Sequence, residues 1–89
     1  MSSEEVRARV RELWRLRHEL FMEELERRGV FEIPRDTLAN KVERVARAWQ
    51  AYVRSDERWR EVVAKEPPEV RRAIAEILLS LMSLVYGHE

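Results

Sequence analysis

Residues 68–86 constrain this chain more than any others, because as a helix they would be apolar on nearly every side. At 100° per residue, Val70, Ala73, Ile74, Ile77, Leu78, Leu81, Leu84 and Val85 complete one broad face. Ala75, Leu79, Met82 and Tyr86 form a second face. Only Arg72, Glu76, Ser80 and Ser83 remain as a narrow polar stripe. Such a helix has to be covered on most sides, by the rest of the chain or by another molecule. A bilayer is not the expected cover. The longest apolar run, 77–86, is interrupted by Ser80 and Ser83 and falls short of the roughly 18 residues a span requires.

The rest of the chain predicts three more helical segments. Ser2 and Ser3 with Glu4 and Glu5 make an N-terminal cap, and nothing breaks the helix before Arg28, where Gly29 ends it. Residues 30–34 read as an extended apolar connector, since Pro34 turns Ile33 away from helical angles, and Val30, Phe31 and Ile33 are expected to fold back onto the bundle. Asp36 or Thr37 caps a second segment to about Arg54. Leu38, Val42, Val45, Ala46, Trp49, Tyr52 and Val53 form its apolar arc, with Arg44, Arg47, Ala51 and Arg54 opposite. Ser55-Asp56 is expected to restart the chain as a short third helix to about Lys65, burying Trp59, Val62 and Val63. Pro67-Pro68 separates it from the fourth, which stops at Gly87. The fold expected is all-α: a single domain over residues 1–89, built as a compact bundle of three to four helices. Trp49, Val45, Ile74, Leu78 and Leu81 are the most buried residues of that reading. The short third helix offers little cover to the fourth, so self-association or a binding surface is expected there.

Composition narrows the function classes. Seventeen basic and 17 acidic residues give zero net charge, which removes the bulk electrostatic handle for nucleic acid or membrane surfaces. There is no cysteine, hence no disulfide, thiolate nucleophile or cysteine metal site. Five arginines and four glutamates in the first twenty residues are not the make-up of a targeting segment, and the expected location is cytoplasmic. Fifteen arginines against two lysines, with one Asn, one Gln and one Thr, fit either a GC-rich genome or a computed, de novo designed helical sequence.

Residues that break the amphipathic pattern are the candidate functional ones. The leading reading is a helical protein-interaction or homo-oligomerising module that uses Leu79, Met82, Tyr86 and Ala75, together with Trp14, Phe21 and Met22 of the first segment. Aromatic anchors would supply most of the binding energy. A polar site is the next candidate: Arg17 and Glu24 lie two turns apart inside the first segment's apolar arc, beside His18, and could line a ligand or catalytic pocket. The third is a small nucleic-acid-associated regulator that would use Arg7, Arg11 and Arg15, or Lys41, Arg44, Arg47 and Arg54. The acids interspersed among them argue against a phosphate backbone as partner. No nucleophile–base constellation, metal-ligand set, glycine-rich phosphate loop or cofactor motif is legible, so the expectation leans away from an enzyme and names no cofactor.

Overall fold

The computed structural model describes residues 1–32 and 37–86, and every regular element among them is helical: α1 (Ser3–Arg27), α2 (Leu38–Ala64) and α3 (Pro68–Tyr86). Local chemistry sets the ends. The Ser2 hydroxyl accepts from the Glu5 N–H at 3.1 Å while the Glu5 carboxylate accepts from the Ser2 N–H at 2.9 Å, a reciprocal capping box. These bonds to Ser2 hold the Glu5 carboxyl below its ordinary range. At the other end of α1, Gly29 adopts φ 67°, its N–H donates to the Glu26 carbonyl, and the Val30 N–H donates to that of Leu25. That bond pair is a Schellman cap, which favours glycine at the left-handed position. Val30 is half-buried and Phe31 exposed. The expectations for Ile33, Pro34, Asp36 and Gly87 lie outside the described residues. Thr37 caps α2 by accepting from the Asn40 N–H at 3.1 Å.

The break expected at Ser55-Asp56 is absent: α2 runs through it as one helix of 27 residues. Instead of capping a new helix, the Ser55 hydroxyl donates to the Tyr52 carbonyl one turn back at 3.0 Å, inside a continuous helix. Asp56 is occupied by Arg17 and Arg60.

α1 and α2 form an antiparallel pair whose register is fixed along its whole length. Arg9 meets Glu66, the Leu13 carbonyl meets Trp59, Arg17 meets Asp56, and Arg28 meets Gln50 and Arg47. The α2 stripe that faces α1 is Ala51, Ser55 and Trp59, all buried, with Val62 beside them. Two small residues let the helix axes approach where a larger pair would hold them apart. This corrects the expectation for Ala51, and it also corrects the expected core. Val45 and Trp49 lie on the other side of α2 and are exposed, Trp49 at 67 %. The register also carries the first turns of α2 past the end of α1, and Leu38 and Val42 there are exposed.

α3 packs on α1 through Val70 and Ile74, which join Val10, Leu13, Leu20 and Trp59 in the core, with Val6, Ala73 and Ile77 at its margin. From Leu78 to Val85 every residue is exposed, so the expected burial of Leu78 and Leu81 does not occur within the chain. α1 thus carries both other helices, which hardly touch each other. The molecule is long and flat at 52 × 35 × 17 Å. Its radius of gyration is 16.5 Å, against about 12 Å for a compact domain of this length.

Candidate interaction surface

A continuous aromatic ridge joins the two uncovered stretches. Trp14 of α1 is half-buried and stacks on Trp59 of α2, centroids 5.2 Å apart. One helical turn further on, the Arg17 guanidinium lies 5.3–5.5 Å from the ring centroids of Trp14, Tyr52 and Trp59. It also donates to the Tyr52 hydroxyl at 2.8 Å and to Asp56 at 3.2 Å. Cation–π stacking and charge-assisted hydrogen bonds together fix its orientation. Phe21 then meets Tyr52 edge-on at 5.7 Å, and Tyr52 stacks against Trp49 at 6.2 Å. The ridge therefore runs from α1 onto the exposed face of α2.

Trp14 also links the ridge to α3. It lines a shallow hollow of about 340 Å³ with Arg17, His18, Phe21, Tyr52 and Ser55, and it lines a groove of about 610 Å³ between α1 and α3. The groove continues along Val6 and Val10 on one bank and Ala73, Ile77 and Leu81 on the other. Groove, ridge and α2 stripe are one apolar face. At roughly 150–250 Å² for an aromatic side chain and somewhat less for an aliphatic one, its exposed side chains present on the order of 1,000 Å², above the largest patch of a typical monomer.

Leu79 and Met82 are 65 % and 54 % exposed, and Ala75 is exposed beside them. Tyr86 is the last residue of α3, and its side chain lies outside the described residues. Phe21 and Met22 are half-buried. Arg17 and Glu24 are held by different partners. Arg17 belongs to the ridge, while Glu24 is fully buried and surrounded by arginines. Arg54 Nε lies 3.0 Å from Oε2, Arg58 Nη1 lies 4.0 Å from Oε1, and Arg27 contacts Oε1. Neither oxygen accepts an aligned hydrogen bond, so charge rather than directed bonding offsets the burial. His18 is exposed. Of the basic residues on α2, Arg47 is engaged by Glu43 and the Arg28 carbonyl, and Arg54 by Glu24. Among the described residues no cluster of three or more His, Asp or Glu could hold a metal, and no helix is long and apolar enough to cross a membrane.

The sequence reading missed the exposed α2 stripe and the Arg17–Asp56 pair. The arc of Leu38, Val42, Val45 and Trp49 signals a face that needs cover. The small-residue stripe of Ala51 and Ser55 on the other side was the available sign that α1 would not provide it. Comparison with protein-family models, with curated proteins and with solved structures finds no match.

Proposed function

We propose that this chain is a helical interaction module whose partner is a further copy of itself, assembled through the apolar face formed by α2, the aromatic ridge and α3. The observation that carries this reading is the exposure of large apolar side chains on two helical stretches, Leu38 to Val53 and Leu78 to Val85, joined through Trp14, Phe21 and Tyr52. Standard protein interfaces bury about 800 Å² on each partner, so the face is large enough for a stable contact. Its interior is apolar and aromatic, the composition of interface centres. Packing two open molecules face to face would turn the extended chain into the compact bundle that its helical pattern calls for. In this reading the chain acts in the cytoplasm by holding partners together.

The test is the mass in solution. Light scattering on the eluting peak should give a multiple of 10.7 kDa at micromolar concentration. A chain that remains monomeric up to millimolar concentration would overturn the proposal.

A further inference from the structure

The exposed apolar residues of α2 are not scattered over its outer face. Leu38, Val42, Val45, Trp49 and Tyr52 follow one another at intervals of four and three residues in strict alternation. That is the seven-residue repeat of a narrow seam packed along one other helix. α1 does not supply the helix, because it holds the other side of α2 through Ala51, Ser55 and Trp59. Nor does α3, which packs on α1 and hardly touches α2. Small residues flank the seam, Ala39 and Ala46 along one edge and Ala48 along the other, so a second helix axis can come close. The five seam side chains are 41–78 % exposed. Covering them in two copies would remove on the order of 1,000 Å² from water, the size at which a specific contact becomes stable.

Sizes within the seam point to its occupant. Val45 and Trp49 stand two residues either side of position 47, and Val42 and Tyr52 five either side. Two copies of α2 laid antiparallel, with a two-fold axis at the level of residue 47, therefore set Val45 against Trp49 and Val42 against Tyr52. Each of the four layers pairs a small side chain with a large one, the condition for even interdigitation. A parallel pair would set Trp49 on Trp49 and Tyr52 on Tyr52, with valine on valine in the layers before them. No single spacing of the axes suits both kinds of layer. α3 offers a shorter run: beyond Ile74, which is buried against α1, Leu78, Leu81 and Val85 alone keep the same spacing. Resting on the self-association reading, we infer that the seam of α2 is filled by α2 of a second copy, antiparallel to it. Leu38 then reaches the level of Asp56 in the other copy, a charge that Arg17 and Arg60 already offset. The contact is isologous, each chain giving and receiving the same residues.

The chain contains no cysteine, so an introduced one reports on a single position. Positions 42 and 52 are about 15 Å apart along a helix axis. Val42→Cys and Tyr52→Cys, each alone, should give no covalent dimer with a thiol cross-linker of shorter reach. Their one-to-one mixture should give a product of twice 10.7 kDa. A parallel pair reverses the result, each variant linking to itself and the mixture adding nothing. Ala46→Cys is a smaller change at an exposed position, one residue from the axis, and should link to its own copy. In a parallel pair the two copies of that residue lie on opposite flanks. Linking in the mixture or through Ala46→Cys, with none by Val42→Cys alone, supports the antiparallel seam. Self-linking of Val42→Cys, or no linking by any of these variants while the wild type assembles, overturns the seam and leaves self-association standing. A wild type that is monomeric throughout overturns both.

Discussion

Trp59 and Trp49 sit ten residues apart on one helix and have opposite fates. Trp59 is 2 % exposed, stacks on Trp14 and donates its indole N–H to the Leu13 carbonyl at 2.7 Å. That carbonyl belongs to the interior of α1, so the bond ties α2 to a fixed point on its neighbour. Replacing Trp59 by alanine should destabilise the fold by about 3–5 kcal/mol, the range for large buried aromatics. Trp49→Ala should change the stability of the single chain by no more than about 0.5 kcal/mol while weakening self-association. Urea unfolding and dilution series separate the two effects, and a large loss of monomer stability from Trp49→Ala would contradict the placement of that face. Charge at the other end of the pair gives a pH signature. Arg9 grips Glu66 through two bonds, Nε to Oε1 at 2.9 Å and Nη2 to Oε2 at 2.6 Å. The hydrogen bonds from Arg9 hold the Glu66 carboxyl below its ordinary value of 4.5 and push the Arg9 guanidinium further up, so Arg9 stays charged throughout. A carboxyl whose pKa is lowered by folding stabilises the fold above its unfolded value, and that stability is lost as the pH falls through the folded one. Stability should therefore drop below about pH 4.5, and Glu66→Gln should flatten that drop. Equal slopes for the two proteins between about pH 5 and 3 would show the pair to be inert.

The helix boundaries were legible because each is written in a few adjacent residues. Ser2 with Glu5, Thr37, Gly29 and the two prolines satisfy or remove backbone groups locally, whatever the rest of the chain does. Gly29→Ala should cost about 1–2 kcal/mol in thermal melts, because φ 67° is strained for any residue with a Cβ. The added Cβ would also press on the Glu32 carboxyl at 3.2 Å. The Ser55 boundary failed for the same local reason read the other way. A serine hydroxyl serves a cap or its own helix equally well, and only the helix opposite decides which. The choice of faces was likewise out of reach. An apolar arc states that cover is needed but not which element supplies it, and α1 took the small-residue side of α2. Ala51 is fully buried in that contact. Ala51→Leu should force α1 and α2 apart and destabilise by about 1–3 kcal/mol, while the same change at Ala46, on an exposed face, should be near neutral. Comparable melting temperatures for the two variants would refute the close approach.

At the scale of the whole molecule, two helices lean on a third and leave their far halves uncovered. A chain of 89 residues buries a modest share of its surface even when compact, so an open arrangement has little stability in hand. Leu79 and Met82 are the residues on which this matters most for the proposed assembly. They are exposed in the chain, and they lie on the side of α3 away from Val70 and Ile74, which hold it to α1. Glutamate at both positions would remain hydrated in a monomer but would have to give up its water in an interface that covers them. Leu79→Glu/Met82→Glu should therefore keep the helical content of the wild type while the mass falls to 10.7 kDa. Loss of helix in the double variant would place these side chains in the chain's own core, against the exposure described above. An unchanged assembled mass, with helix retained, would confine any interface to the ridge and the α2 stripe. Trp49→Glu then provides the matching probe, because Trp49 stands on that stripe beyond the reach of α3 in its own chain. If α2 and α3 both enter the interface, both substitutions dissolve it and neither unfolds the chain. That joint outcome is the one expected of an apolar face continuous across all three helices.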